Sequence, residues 1–149
     1  MYKEDCLFCG IAGGTVPSYK IFEDDEFVVI LDRFPSAAGH LLVMPKDHAD
    51  DALDIGGAKA GRLFQLAVRA AKAAKTALKA DGINILTNNG AAAGQTVRHM
   101  HIHVIPRFAG DAVDIRWKAQ DPEEGELEKT ASLIRPLLDQ GLDKSAGLG

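Results

Sequence analysis

The sequence lacks features that would place it in several large classes of proteins. It has only two cysteines in 149 residues, too few for the disulfide framework of a small exported domain. No apolar run approaches the roughly 20 residues of a membrane span, and the charged start MYKEDCLFCG lacks the apolar region of a signal peptide. We therefore expect a cytoplasmic protein without a membrane partner.

The sequence also lacks an excess of positive charge. The formal net charge is -4 and the pI is about 5.7, whereas a nucleic-acid-binding surface usually appears as a basic excess. We expect no nucleic-acid partner, although a small anionic ligand could still bind through local hydrogen-bond donors. No repeat or low-complexity linker divides the chain, so we predict a single domain over residues 1–149.

The hydrophobic pattern predicts strands joined by short turns. Two strands flank an acidic turn at Asp24 and Asp25, a third runs from Gly39 to near Pro45, and INILTNNG supplies a fourth. A fifth strand is predicted in the histidine-rich segment described below. Strands connected in this way favour an antiparallel sheet, and a single long helix packed on one face makes the predicted class α+β.

Two helices are predicted. The first is an alanine-rich segment, residues 57–80, with Gly82 as its stop. Its predicted apolar face comprises Leu63, Phe64, Ala67, Ala70, Ala71, Ala74 and Leu78. The second helix is predicted to begin with Asp121 as its cap and Pro122 at its first position, and to end or kink at Pro136.

The segment RHMHIHVIPR carries three histidines at alternate positions, His99, His101 and His103. Apolar residues separate them, which predicts a strand with the imidazoles on one face and the apolar side chains in a core. Pro106 is expected to stop the ladder. Alternate residues of a strand lie about 7 Å apart and the outer pair about 13 Å, so one ion cannot easily bind all three.

Cys6 and Cys9 form a Cys-x-x-Cys pair, whose alternatives are a metal site, a redox pair or two unrelated thiols. A thioredoxin-like redox site needs a preceding strand, which the few residues before Cys6 cannot supply, so we favour metal. His40 and His48 are the histidines outside the triad and flank the third strand. Two thiolates, His48 and one triad histidine would make a closed tetrahedral set, which implies a structural zinc ion.

Neutral hydrogen-bond donors suited to a phosphate surround the triad. Gly94, Gln95 and Thr96 lie just ahead of the histidines, and Asn88 lies on the neighbouring strand. The triad strand has no acidic residue and no serine lies in a nucleophile-elbow pattern, so a histidine is the best candidate nucleophile. The alternative is a donor-rich turn that only satisfies the loop backbone.

Two motifs together resemble a known family. HMHIHVI resembles the signature of the histidine triad (HIT) family, and GHLLVMPKDH resembles the segment that precedes it there. The resemblance spans residues 6–111, which leaves residues 112–149 as a C-terminal extension. It implies a HIT-like fold, a five-stranded antiparallel sheet with one long helix and a C-terminal helix, and a homodimer whose sheet extends across the subunits.

The resemblance also implies roles for individual residues. His101 matches the nucleophile that forms a nucleotidyl-histidine intermediate, His103 and Thr96 match residues that hold the phosphate and assist the leaving group, and His40 matches a supporting histidine. The implied nucleotide-binding residues are Asp32 for the ribose, Asn88 or alternatively Asn89, Gln95, Thr96 and His103 for the phosphate, and Phe8, Ile11 and Ile30 for the base. In the zinc-bearing bacterial branch the metal ligands correspond to Cys6, Cys9, His48 and His99.

The implied activity is cleavage at the α-phosphate of a purine nucleotide. His103 stands where transferase branches usually carry glutamine, which favours hydrolysis. FEDDEFVVILDRFP resembles phosphoramidase-like (Hint) members, and GQTVRHMHIHVIPRFAGD is similar to the dinucleoside polyphosphate hydrolase (Fhit-like) branch. We therefore expect a purine nucleoside phosphoramidate hydrolase, with a dinucleoside polyphosphate hydrolase or a weakly active nucleotide-binding scaffold as alternatives.

Overall fold

The computed structural model describes residues 2–142, with side chains described up to residue 138. Five strands form one antiparallel sheet in the order β1-β2-β3-β5-β4, so the predicted α+β class and five-stranded antiparallel sheet are confirmed. The elements in chain order are α1 (Leu7–Ala12), β1 (Lys20–Glu23), β2 (Phe27–Leu31), β3 (Leu41–Pro45), α2 (Gly57–Leu78), β4 (Gly82–Leu86), β5 (Ile102–Arg107) and α3 (Glu126–Leu142).

The chain divides after Val113 into two compact units, and α3 lies in the second. Within the described residues, no helix combines the length and the apolar character that crossing a bilayer requires.

Alternation along the strands gives the sheet two buried faces. Val29, Val43 and Val104 pack in the cluster that includes α2. Val28 and Leu42, one residue away, pack in a second cluster with α1. Because side chains of a strand alternate between faces, β2 and β3 contribute to both cores. Leu42 pairs with His103, so His103 lies on the face that α1 covers.

Helix α2 differs from its predicted form at its apolar face and at its end. The buried residues are Leu63, Leu66, Ala67, Ala71 and Ala74. Phe64 and Leu78 were expected on this face but are 53% and 40% exposed. The helix ends at Leu78, and Lys79 takes the left-handed conformation with φ 54° and donates its backbone N–H to Lys75 O. Gly82, the predicted stop, is instead the first residue of β4.

Strand β5 also differs from its predicted extent. It begins at Ile102, so His99 and His101 precede it, and it continues through Pro106 to Arg107. The prediction that Pro106 stops the ladder was wrong, since Pro106 pairs with Ile83 of β4. On its other side β5 pairs with β3 only as far as Val104. The missing N–H of the proline is therefore tolerated where one neighbour has already ended.

Two helices have bounds that the sequence pattern did not give. Helix α1 was not predicted, although Phe8, Ile11 and Ala12 have helical spacing and are buried. Helix α3 begins at Glu126, four residues beyond the predicted first position at Pro122, and it continues past Pro136. The Glu126 carboxylate accepts the Glu123 N–H at 3.2 Å, which satisfies a backbone donor at the helix start.

Candidate active site and metal centre

The nucleophile predicted from the sequence lies just before β5 with a defined proton arrangement. His101 is 5% exposed, and its Nδ1–H donates to the backbone carbonyl of His99 at 2.6 Å. A neutral ring with its proton on Nδ1 keeps its lone pair on Nε2. Burial lowers the pKa of His101, although the His99 carbonyl and the charge of Asp32 act in the opposite direction. His101 is thus a neutral imidazole with an available nitrogen lone pair.

A chain of hydrogen bonds orients the third histidine of the triad. The Ser36 N–H donates to His40 Nδ1 at 3.2 Å, so neutral His40 carries its proton on Nε2. That proton faces His103 Nδ1 at 2.9 Å, which leaves the proton of His103 on Nε2. Burial, together with the charges of His101 and His40, lowers the pKa of His103 to about 4. Neutral His103 therefore presents one N–H donor on the face that carries His101.

Asp32 lies beside this chain as a negative charge. Its Oδ1 accepts the Phe34 N–H at 2.9 Å, and its Oδ2 lies 3.6 Å from His40 Nδ1. The Asp32 charge opposes the lowering of the pKa of His40 that burial causes. The backbone N–H of Asp32 also donates to His40 O at 2.9 Å, so the two residues are fixed relative to each other.

The loop before the triad uses most of its side-chain donors internally. Gln95 Oε1 accepts the Gly90 N–H at 2.8 Å, and Gln95 Nε2 donates to Asp50 O at 2.7 Å and to Val97 O at 3.1 Å. The amide of Gln95 therefore holds the loop, as the donor-rich-turn alternative expects, and its contact with phosphate stays a prediction. Thr96 is exposed, and its hydroxyl makes no hydrogen bond within the part of the chain that the structure describes.

The two asparagines that follow β4 differ in their availability. Asn89 Oδ1 accepts the Ala52 N–H at 2.8 Å, which ties this segment to the loop after β3. Asn88 makes a single long contact, from Nδ2 to Gly94 O at 3.5 Å. Of the two, Asn88 is the residue whose amide can be redirected to a ligand at little cost, because a bond this long is weak.

The residues predicted to bind the base belong to one apolar cluster on the α1 face. Phe8, Ile11 and Ile30 are 6%, 7% and 3% exposed, so only their outer edges can meet a ligand in this conformation. Phe8 also contacts the candidate nucleophile: its ring lies perpendicular to that of His101, with centroids 5.0 Å apart. No sequence motif indicated this contact.

The four predicted metal ligands lie together. Their ligand atoms are all within 4.8 Å of one another, although the sequence separates Cys6 from His99 by 93 positions. The distances to Nδ1 are 3.4 Å from Cys6 Sγ to His99, 3.5 Å from Cys9 Sγ to His48, and 3.6 Å from Cys9 Sγ to His99. Zinc bonds of about 2.3 Å to sulfur and 2.1 Å to nitrogen give a tetrahedral S–N edge of about 3.6 Å. The four residues therefore fit a zinc ion.

The hydrogen bonds behind these ligands support metal binding over a redox pair. His48 Nε2 lies 2.8 Å from Asp50 Oδ1, and His99 Nε2 lies 2.8 Å from Pro45 O. Both imidazoles thus carry their protons on Nε2 and direct their Nδ1 lone pairs toward the thiols. Outer hydrogen bonds of this kind are typical of histidines that bind metals.

A cavity of about 450 Å³ lies elsewhere, between α2 and the first two strands. Its walls are mainly apolar, with Ile21, Val29 and Leu66 among them, and Arg69 is the charged residue that lines it. None of the candidate catalytic or metal-binding residues contributes to its walls, so the cavity is separate from the histidine site.

A model of the HIT domain matches residues 14–110 of the chain. The chain belongs to the HIT domain family. Among HIT relatives, the protein "hit" of Bacillus subtilis is 37% identical over 88% of this chain and 92% of its own length. The adenylylsulfatase HINT3 of Arabidopsis thaliana is 38% identical over 89% of this chain and 66% of its own length.

Solved HIT structures match the fold closely. A protein from Streptococcus mutans superimposes with a TM-score of 0.87 at 42% identity, over 91% of this chain and 87% of the other. A zinc-bound histidine triad protein from Mycobacterium smegmatis superimposes with a TM-score of 0.71 at 41% identity, over 91% and 94% of the two chains. A HIT-like fold is therefore confirmed.

Proposed function

We propose that this HIT protein hydrolyses purine nucleoside phosphoramidates at the α-phosphate, with His101 as the nucleophile. The 2.6 Å hydrogen bond from His101 Nδ1–H to the His99 carbonyl carries the proposal, because it leaves a buried neutral imidazole with its Nε2 lone pair free. Attack forms a phosphorus–nitrogen bond to His101 as the bond to the leaving nitrogen breaks, and that nitrogen takes a proton from solvent so that it departs as a neutral amine. Water then cleaves the nucleotidyl-histidine and releases a nucleoside monophosphate.

The neighbouring residues supply the remaining roles in this proposal. His103 donates its Nε2–H to the phosphate and the leaving group, and His40 fixes that proton on Nε2 through the 2.9 Å hydrogen bond. Thr96 and Asn88 add donors to the phosphate. Asp32 accepts from the ribose hydroxyls. The edges of Ile11 and Ile30 are the proposed apolar contacts of the base.

A second candidate is hydrolysis of substrates whose leaving group departs as a weakly basic anion, namely a dinucleoside polyphosphate or adenylyl sulfate. The pKa of His103, lowered to about 4, favours this candidate, because a neutral imidazole is a weak acid toward an amine and an anion needs less protonation. The name of the Arabidopsis relative, adenylylsulfatase, adds adenylyl sulfate to the substrates worth testing.

Steady-state rates on adenosine phosphoramidate, diadenosine tetraphosphate and adenylyl sulfate distinguish these candidates. We expect the highest kcat/KM on the phosphoramidate and, for His101→Ala, a kcat lower by several orders of magnitude with nearly unchanged AMP binding. Acid quench with labelled substrate should place the nucleotidyl group on the peptide containing HMHIH. If the protein binds AMP but turns over none of the three substrates, the nucleotide-binding scaffold is the remaining alternative. Near wild-type turnover in His101→Ala would refute the role of His101 as the nucleophile.

We also propose that one structural zinc ion is held by Cys6, Cys9, His48 and His99. Four protein ligands complete a tetrahedron, so the site has no open position for water or substrate, and the ion fastens α1 to the segment before β5. The matching S–N distances and the outer hydrogen bonds of both histidines support zinc.

A homodimer is the proposed assembly, with purine nucleotides as the small-molecule partner. The free edge of β4 supports a sheet that continues into a second subunit. The small side chains Ala67, Ala71 and Ala74 of α2 do not support close helix contact between subunits, because they pack in the core of their own chain. A cytoplasmic location and the absence of a nucleic-acid partner stay predictions from the sequence.

A further inference from the structure

Phe8 stands between the metal centre and the nucleophile. It lies on α1 between the metal-ligand candidates Cys6 and Cys9. Its ring is perpendicular to two imidazoles, that of His99 at a centroid distance of 5.9 Å and that of His101 at 5.0 Å. With only 6% of its surface exposed, Phe8 offers a base little more than an edge.

Three contacts fix the ring of His101. The hydrogen bond to the His99 carbonyl holds Nδ1, and the rings of Phe8 and His103 lie against the imidazole at interplanar angles of 87° and 67°. The carbonyl alone leaves the ring free to tilt about that hydrogen bond, because a carbonyl accepts over a broad range of directions. The ring of Phe8 therefore restricts the direction in which Nε2 points.

We propose that Phe8 is a positioning residue for His101, which holds the imidazole in its attacking orientation from a helix that the metal centre anchors. This proposal rests on His101 being the nucleophile, as argued above. It replaces the base-binding role that the family resemblance implies for Phe8. Misdirecting a nucleophile by a fraction of an ångström lowers the rate of attack without weakening the contacts that bind the nucleotide.

The test compares Phe8→Leu with Val28→Ala in the zinc-loaded protein. Val28 is fully buried in the same apolar cluster, and its ring-free side chain makes no aromatic contact with a triad histidine. We expect Phe8→Leu to lower kcat by about 10-fold or more, with the Kd of AMP within about 2-fold of wild type. Val28→Ala should lower the melting temperature and leave kcat near wild type. Phe8→Tyr, which keeps the ring, should retain most of kcat.

A base-binding role gives the opposite pattern: a raised Kd for AMP in Phe8→Leu with kcat unchanged would overturn the proposal. An equal loss of kcat in Val28→Ala would also overturn it, because the effect would then come from any defect in this cluster. If Phe8→Leu does not fold, Phe8→Met replaces it with the same expectations.

A spectroscopic measurement separates failure of this proposal from failure of the proposed function. Imidazole nitrogen resonances of the zinc-loaded protein report the tautomer and mobility of each histidine without any turnover. We expect the His101 signals to broaden or shift in Phe8→Leu while those of His40 stay in place. Unchanged His101 signals would refute positioning by Phe8, whereas wild-type protein that turns over no nucleotide would refute only the proposed function.

Discussion

Replacing His40 tests whether this residue affects catalysis only through its hydrogen bond to His103. His40→Ala deletes the 2.9 Å hydrogen bond to His103 Nδ1. The substitution leaves His103 Nδ1 without its donor, on a ring whose pKa is lowered to about 4 by burial and by the charges of His101 and His40. The ring of His103 then loses the contact that keeps its proton on Nε2, the nitrogen proposed to face the leaving group.

The expected size of this effect follows from the contacts. Removing the donor to half-buried His103 Nδ1 costs about 1–3 kcal/mol, so we expect His40→Ala to lower kcat/KM by about 5- to 150-fold. His103→Ala removes a donor to the transition state and should cost about 3–4 kcal/mol, or roughly 10² to 10³-fold. If His40 acts only through His103, then His40→Ala should cost under about 3-fold in protein that already lacks His103.

The measurement is kcat/KM on adenosine phosphoramidate for the two single variants and the double variant. Ser36→Ala is the control for the outer end of the chain, because it deletes the hydroxyl that lies 3.2 Å from His40 Nδ1 and keeps the backbone N–H that donates to the same nitrogen. That control should lie within about 3-fold of wild type. If the losses of kcat/KM add in the double variant, to about 10³-fold or more, His40 acts separately from His103 and the hydrogen-bond chain does not explain its effect.

Three further predictions concern the metal, the pH dependence and the assembly. Asp50→Asn should weaken zinc binding by about 10- to 100-fold, measured by chelator competition, because Asp50 orients His48 Nε2–H, while Arg98→Met, which removes the exposed partner of Asp50, should not. As pH falls from about 6.5 to 4, wild type should lose about 2 kcal/mol more stability in urea than His103→Gln, because the histidine of the unfolded chain binds a proton at higher pH than half-buried His103 of the folded protein does. Light scattering should find a dimer at micromolar concentration, because β4 is an edge strand that a second subunit can extend, and a monomer at that concentration would contradict this assembly.

The fold class and strand positions could be predicted because periodicity along the sequence is a local property. Alternation placed His103 opposite the apolar side chains of β5, and the structure puts Val104 and His103 on different faces of the sheet. The exact ends were less predictable, because they depend on partners. β5 continues through Pro106 because its pairing with β3 has already ended at Val104. Where two strands stop pairing depends on both strands, so the sequence of one strand does not predict it.

Residue type and spacing predicted that Cys6, Cys9 and His48 lie together with one histidine of the triad, and the structure brings their ligand atoms within 4.8 Å of those of His99. The choice of His99 came from the family resemblance. The hydrogen bonds of the loop before the triad could not be predicted from the sequence. Gln95 is a suitable phosphate donor by residue type, yet its side-chain amide donates to Asp50 O, 45 positions away in the sequence. The contact of Phe8 with His101 likewise depends on how α1 packs against the sheet. The helical spacing of Phe8 and Ile11 was the local signal that could have indicated α1.

The alternate spacing of the triad explains how one short segment can serve two sites. Because the outer pair of imidazoles lies about 13 Å apart, one ion cannot easily bind all three, so in the proposed function His99 belongs to the metal centre and His101 to the substrate site. His99 nevertheless contributes to both sites: its side chain lies 3.4 Å from Cys6 Sγ, and its carbonyl accepts the Nδ1–H of His101. A displacement of the His99 backbone would therefore disturb both the candidate metal centre and the hydrogen bond that sets the tautomer of His101. We expect that a metal ion at this centre, by restraining the His99 backbone, would support the proposed reaction without contacting the substrate.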